Sequence, residues 1–446
     1  MKKFAFYCMP HAGILDSWLP VLVKLKSEDP NAKIVFIAPS VRIFEDLAQN
    51  RFLMEEGGKV FDGFICQING GQWIENSIFG DSLKLIKPGY IKKIERVCSF
   101  LEKNNFDLCK KIFNYLESFL LIRKRFKIVN IECIASQFSA LFYDVVFSID
   151  NFPMCHMSIP RYSLSHGIYI NSKPYENEAW NDWSKKFKKS ISKNEIIFST
   201  SKNESLILSK FIDDKSIHRV NIPKHDKFWV NYVRSNDMKV EFFDGKKYII
   251  LISKTGANER LSIQKKIDFI SAIKKVVIDE LGLPVLIKLH PTERSHRIYE
   301  SLFGVNNYNL TWAFMSEHPY QYLDNCSFAI SLMSNLCLDL LALKIPIIEL
   351  SNNQGMTNEM LLEYFGPQAN ENSRGFFRDN NFVLGADSEA ELRFQSLKII
   401  KTRKVVIDNQ YKIYKNYFAG KKRNVDYISN KILTTQKIFY KKVYQK

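Results

Sequence analysis

Apolar residues along this chain fall into short unbroken runs, separated by longer segments in which they recur every three or four positions. Phe4–Met9 is such a run. Trp18–Lys26 is such a segment, with Leu19, Leu22, Val23 and Leu25 on its apolar side, and Lys33–Ile37 and Val41–Gln49 repeat the pair. Unbroken runs suit strands buried on both faces, and the wider spacing suits helices with one buried face. Their alternation predicts βαβ units and a parallel sheet. Strands are expected again at Val129–Ala135, Val145–Asp150 and Ile196–Ser199, with residues 80–125 mainly helical. A second series begins near Lys247, with strands over Tyr248–Ser253, Pro284–Leu289, Ser327–Ser331 and Ile345–Leu350. Helices are expected from about Ile263 to Leu281 and up to Leu343. The polar stretch Asn231–Lys246 separates the two series. The pattern reads as an α/β protein of two tandem doubly wound, Rossmann-like domains facing across a cleft, over residues 1–235 and 245–420. A basic, aromatic tail, 421–446, follows.

The 446 residues are 46% hydrophobic and 25% charged, which allows a large core and excludes a chiefly disordered chain. Lys and Arg number 64 against 47 Asp and Glu, a net charge of +17. Partners should therefore be anionic: a phosphorylated substrate, nucleic acid or an anionic membrane face. The eight cysteines, scattered from Cys8 to Cys337 without a C-x-x-C pair, form neither a zinc knuckle nor a secreted disulfide framework. They read as buried thiols in a reducing cytosol. The run after Met1-Lys2-Lys3 breaks at Pro10-His11, as a first strand does and a signal peptide does not. The longest apolar candidate for a membrane span, Phe328 to Leu350, is interrupted by Asp339, Lys344 and Pro346. A cytoplasmic protein is expected. No H-E-x-x-H, G-x-S-x-G, P-loop, RNP1 or zinc-finger pattern occurs, so no metal, cofactor or specific nucleic acid is implied.

In open α/β sheets ligands bind beyond the carboxyl ends of the strands, and unusual residues gather there. Leu289-His290-Pro291 ends one predicted strand, where an imidazole can donate to a phosphate oxygen; capping of neighbouring loops is the structural alternative. Ser331-Leu332-Met333-Ser334-Asn335 joins a strand to a helix with hydroxyl and amide side chains suited to an anion or to an ordinary cap. Lys254-Thr255-Gly256 follows the first strand of the second series, and its glycine permits close backbone approach. In the first series His11 and His166 are candidate general bases, because an imidazole titrates near neutral pH; each has a structural reading too. Asp144 and Asp150 are carboxylate alternatives, and burial of Asp144 in its apolar run would raise its pKa. The tail from Lys421 to Lys446 carries eight basic residues and one acid. It suits an anionic membrane surface or a helix packed across the domains.

Taken together, Ile287-Lys288-Leu289-His290-Pro291, then Ser331 to Asn335 with Asp339, then Lys344-Ile345-Pro346-Ile347-Ile348 resemble the C-terminal half of bacterial surface-polysaccharide transferases of the GT-B fold. The pattern is similar to that of CDP-glycerol glycerophosphotransferases, whose H-G, H-P and T-D-Y-S-S-x-x-x-D stretches align with Ser165-His166-Gly167, His290-Pro291 and Ser331 to Asp339. Capsule transferases using CMP-Kdo and sialyltransferases using CMP-sialic acid share the H-P. Leu332, Met333 and Asn335 depart from the glycerophosphotransferase pattern. The resemblance spans residues 160–350 in pieces. It implies a cytoplasmic glycosyl or polyol-phosphate transferase, peripheral on the inner membrane face. Its donor would be a nucleotide-activated sugar, cytidine-linked by preference, and its acceptor a capsule or lipopolysaccharide-type glycan, free or lipid-linked. It further implies that His290, Pro291, Ser331, Ser334 and Asn335, helped by Lys254, Thr255 and Gly256, hold the donor phosphate, and that His166 is the base. A nucleotide-sugar epimerase on the same fold, or a non-catalytic basic protein binding glycan or membrane, are the alternatives.

Overall fold

The computed structural model describes residues 3–8, 12–38, 43, 44, 47, 50–68, 72–76, 83–86, 133–138, 161–165, 195–209, 212–236, 241–256, 261–290, 293, 296–354, 356–365, 373–418 and 424–444. In the first domain, strand β1 (Lys3–Tyr7) leads into helix α1 (Ala12–Glu28), then β2 (Lys33–Ala38) and α2 (Arg51–Val60). Strands β3 (Gly63–Ile68), β4 (Gln72–Asn76), β5 (Leu83–Ile86), β6 (Cys133–Phe138), β7 (Arg161–Ser165) and β8 (Glu195–Ser199) follow. Helix α3 (Lys202–Leu208), β9 (Ile217–Arg219) and α4 (Lys227–Arg234) complete the series. The sheet runs β5-β4-β3-β2-β1-β6-β7-β8-β9, parallel except at β4 and β5. Two expectations change here. Leu83–Ile86 is a strand inside the stretch expected to be helical, and the strand expected at Val129–Ala135 is displaced to Cys133–Phe138. The strand expected at Val145–Asp150 lies outside the described residues.

The second domain comprises β10 (Tyr248–Ile252), α5 (Ile263–Ile273), β11 (Val285–Lys288), α6 (Arg297–Phe303), β12 (Trp312–Phe314), β13 (Cys326–Ser331) and α7 (Leu336–Ala342). It continues through β14 (Ile347–Leu350), α8 (Asn358–Phe365), a short α9 (Phe376–Asp379), β15 (Leu384–Ala386) and α10 (Glu389–Phe418). The final helix, α11, spans Val425–Tyr444. The helix expected up to Leu281 is α-helical only to Ile273. A π-helical turn, Lys274–Glu280, then closes it, and Gly282 exits at φ +65°. The sheet order is β12-β11-β10-β13-β14-β15 and every pairing is parallel.

The burial pattern explains this architecture. All five side chains of β10 are buried, which only a sheet covered on both faces provides. Burying each large aliphatic one contributes about 1.5–3 kcal/mol. One core, including Ile250, Leu286, Ala329, Cys337 and Leu340, lies on one face of this sheet and runs into the first domain through Trp18, Leu22 and Trp229. The other, with Ile249, Leu251, Val285, Ile287 and Leu392, fills the opposite face. Alternate residues of β10 and β11 thus feed different cores, as the two-residue period of a strand requires. Helix starts are marked by side-chain caps. Ser262 accepts the Lys265 amide at 3.2 Å, Asp226 accepts Phe228 at 2.9 Å, and Asn50 accepts Leu53 at 3.1 Å.

The last helix returns to the first domain. Asp426 pairs with Lys24 of α1 at 2.9 Å, Ser429 donates to Glu28 at 2.5 Å, and Tyr427 bonds His218 at 2.8 Å. Among the described residues, no helix is long and apolar enough to cross a membrane.

Candidate functional site

The order β12-β11-β10-β13-β14-β15 reverses direction between β10 and β13, and a crevice opens at such a switch point. The register makes three strand ends level there, because Ile252 of β10 pairs with both Lys288 of β11 and Ser331 of β13. Lys254, His290 and Met333 each stand two residues beyond that line. Three loops singled out in the sequence are therefore brought together by the parallel pairing itself.

These loops are fastened to one another. Lys254 Nζ donates to the Met333 carbonyl at 3.3 Å, across the switch point. Met333 holds a left-handed φ of +56°, unfavourable for a residue with a side chain. Ser331 is fully buried, and its Oγ accepts the Ser334 amide at 3.0 Å. Ser334 Oγ accepts the Leu336 amide at 3.4 Å, while Asn335, at the N-cap position of α7, makes no side-chain capping bond. The serines thus shape the turn.

Beneath the other two loops lies a buried polar knot. Glu293 and Lys266 form a close ion pair, both side chains almost fully shielded from solvent. Glu293 also accepts from Ser253 Oγ at 2.6 Å and from Tyr299 at 3.1 Å, and Lys266 Nζ donates to the Lys254 carbonyl at 2.9 Å. The Glu293 amide closes the turn by donating to the His290 carbonyl at 2.8 Å. Burial lowers the pKa of Lys266, opposed by Glu293, and burial raises that of Tyr299. Gly256 packs directly on the Lys266 stem: a Cβ there would sit 3.0 Å from Lys266 Cδ. His290 is half-buried at the rim.

Lys288 adds a cation. It ends β11, is half-buried, and its ammonium group has no hydrogen-bond or ion-pair partner among the described residues. Burial pushes its ammonium pKa down, countered by the nearby Asp16 and Glu317 carboxylates. With Lys254 and His290 it gives the strand ends donors for an oxyanion.

Asp16 belongs to a second network that joins the domains. It lies in α1, which follows the first sheet's own switch-point strand β1, flanked by β2 and β6. His318 Nε2 lies 3.0 Å from Asp16, and His318 Nδ1 accepts the Tyr320 amide, so Nε2 carries the proton and donates. Lys224 bridges Asp16 at 3.3 Å and Asp339 of α7 at 2.7 Å. His225 stands 2.6 Å from Asp339 through Nε2 and 2.6 Å from Tyr414 through Nδ1. Burial lowers the His225 pKa, outweighing Asp339, so the ring is neutral: Nε2–H donates to Asp339 and the Tyr414 hydroxyl donates to Nδ1. Burial alone would raise the carboxyl pKa values of Asp16 and Asp339. Lys224, with His318 at the first and His225 at the second, instead holds both below the usual range.

Of the residues named from sequence, Lys254, Thr255, Gly256, His290, Ser331, Ser334 and Asn335 gather at the switch point of the second sheet. His11, His166, Asp144, Asp150 and Pro291 lie outside the described residues. The sequence reading assigned no role to Lys288, Glu293, Lys266, Asp16, Lys224, His225 or His318. Lys288 had a readable signal, a cation one position before the end of the apolar run Pro284–Leu289, and Glu293 followed His290 by three residues. The others come from separate elements, and no spacing links them. Among the described residues no three metal-ligating side chains cluster.

No family model and no curated protein sequence matches the chain. Solved structures do. A Listeria monocytogenes protein assigned as a UDP-N-acetylglucosamine 2-epimerase superposes with a TM-score of 0.59 at 12% identity, over 99% of this chain and 97% of that one. The UDP-GlcNAc 2-epimerase of Methanocaldococcus jannaschii, solved with UDP-GlcNAc and UDP, gives 0.51 at 12% identity, over 97% and 99%. A wall teichoic acid polymerase gives 0.53 at 12% identity, over 98% and 89%. At this identity the likeness establishes the fold, which is GT-B: two Rossmann-like domains with a cleft at their facing carboxyl edges.

Proposed function

We propose that this protein transfers a glycosyl or polyol-phosphate group from a nucleotide-activated donor to a surface glycan. The observation that supports this reading is the gathering of Lys254 and His290, each two residues past the level strand ends, with Lys288 at the end of β11, on loops tied together by Lys254–Met333 and Lys266–Glu293. Charge that develops on a departing nucleotide phosphate is best stabilised by donors already fixed in place, and both ties supply that fixity. The donor phosphates sit against His290 and Lys254, with Thr255 and Gly256 as the backbone edge of the site and Ser334 and Asn335 across from them. Both loops also hold the reacting centre at a set distance from the first domain.

The bond from the transferred group to the nucleotide phosphate breaks, and its electron pair leaves with the phosphate. A hydroxyl oxygen of the acceptor forms the new bond, and its proton passes to a base of the first domain. We assign that base to His166, with His11 and Asp144 as alternatives, on the sequence resemblance. The donor is cytidine-linked on the same ground; UDP-linked donors belong in the same panel because two of the structural neighbours are UDP-GlcNAc epimerases. A lipid-linked acceptor and attachment to the inner membrane face complete the proposal.

The experiment supplies CMP-, CDP- and UDP-linked donors with and without acceptor glycan and follows nucleotide release and product. Nucleotide release that requires acceptor supports transfer. Interconversion of the donor with no acceptor present makes the protein an epimerase and ends this reading. His166→Ala should lower turnover with little change in donor affinity; undiminished turnover moves the base to His11 or Asp144.

A further inference from the structure

Helix α10 buries one face and leaves the other without a protein partner among the described residues. Leu392, Ser396, Ile399, Val406 and Ile407 pack inward. Phe394, Leu397, Ile400 and Val405 point outward, 65%, 38%, 50% and 61% exposed. Such large apolar side chains on a solvated helix cost solvation free energy and mark a contact surface when they cluster. Between them stand the exposed Lys398, Lys401 and Lys404, and Arg403, which is exposed but donates to the Ser327 carbonyl at 3.1 Å at the margin of the face. From Leu392 to Ile407 there are five basic residues and no acid. The acids at the start of the helix are engaged otherwise: Glu389 pairs with Lys275 and Arg393, and Arg393 also holds Glu280. Asp408, the next acid along the helix, directly follows Ile407.

We infer that the outward face of α10 docks on an anionic phospholipid surface. Phe394, Leu397, Ile400 and Val405 enter the acyl–headgroup boundary, while the long stems of Lys398, Lys401 and Lys404 let their ammonium groups reach lipid phosphates. Charge complementarity selects this occupant: a protein partner or a second copy would have to bring an acidic patch, and this chain carries a surplus of 17 positive charges. The kink at Thr402 (φ −132°, ψ 36°) divides the patch between two helical arms. The first arm begins at Glu389, just past β15, so the bilayer lies on the flank of the second domain. The inference rests on the helix face alone and stands or falls independently of the reading of the cleft.

The test is sedimentation of the full chain with vesicles of phosphatidylcholine alone or with 30% phosphatidylglycerol, a composition chosen for the assay at about this anionic fraction. The protein should sediment with the anionic vesicles and release from them as salt rises. Each lysine near such a surface is worth about fivefold in partitioning, so Lys398→Glu/Lys401→Glu/Lys404→Glu should weaken binding by on the order of a hundredfold. Phe394→Ser/Ile400→Ser should weaken it by about tenfold or more through lost apolar burial. All five positions are exposed, and an unchanged melting temperature shows that the variants fold. Absence of sedimentation with anionic vesicles, or equal sedimentation of the wild type and both folded variants, overturns the inference. So does self-association without lipid that Phe394→Ser/Ile400→Ser abolishes, since the face would then meet a second copy.

Discussion

Lys254, in the loop after β10, donates to the carbonyl of Met333, in the loop after β13, at 3.3 Å. The bond crosses the point where the strand order reverses, so it draws together the two loops that flank the crevice. Met333 sits in the left-handed region at the receiving end, and the bond helps hold that backbone in place.

Lys254→Met removes both this tie and a cation. A hydrogen bond to a charged group is worth about 1.5–3 kcal/mol. The donor dissociation constant should therefore rise about ten- to a hundredfold, with only a small shift in melting temperature. Titration calorimetry with CMP and CDP checks this, and unchanged affinity removes Lys254 from the site.

The Lys266–Glu293 pair is buried, so its loss should be felt as stability. Removing one partner of a buried pair leaves an uncompensated charge and costs about 3–5 kcal/mol. Glu293→Gln should lose that amount in urea denaturation. Lys266→Met combined with Glu293→Gln should lose clearly less than the sum of the single changes, since no charge is left stranded. Strict additivity would mean that the pair does not act as a unit.

The domain junction predicts a pH response. His225 is neutral in the fold because burial lowers its pKa, whereas in the unfolded chain it takes up a proton near pH 6.5. Below that pH the unfolded state binds the extra proton, so His225 contributes a loss of stability as pH falls through about 6.5 and none above it. Asp16 and Asp339 have depressed pKa values, so their contribution is present above about pH 4, where unfolded carboxyls ionise, and disappears as pH falls further. His225→Gln should flatten the fall in melting temperature between pH 7 and 5 and leave the acid limb in place. An unchanged slope contradicts the assignment of a buried neutral His225.

The strands at the sheet centres were legible because burial on both faces writes them as apolar runs: Tyr248–Ile252, Val285–Lys288 and Ile347–Leu350 fall within their expected bounds, and Cys326–Ser331 begins one residue early. The edge strands β9, β12 and β15 were not. Each has three residues, too short for a period to show, and Ile217-His218-Arg219 carries no continuous apolar signal because one side faces solvent. The switch-point loops were legible as a consequence of the strands, since a loop after a central strand must open at the carboxyl edge. The knot under them was not. Lys266 reads as an ordinary polar helix position, and only the packing of α5 over the His290 turn brings it to Glu293. The junction was less legible still, because Asp16, Lys224, His225, His318 and Asp339 are separated by up to 323 positions in chain. The fold alone brings them together.

Whether a nucleotide phosphate is held at His290 beside Lys254 can be measured by thermal unfolding with CMP, CDP, UDP, GDP and ADP, wild type against His290→Ala. A nucleotide at a hundred times its dissociation constant should stabilise the wild type by about 2.7 kcal/mol. CMP or CDP should give such a shift, sharply reduced in His290→Ala. A wild type that no nucleotide stabilises, or a variant stabilised as strongly as the wild type, would contradict a phosphate held at His290.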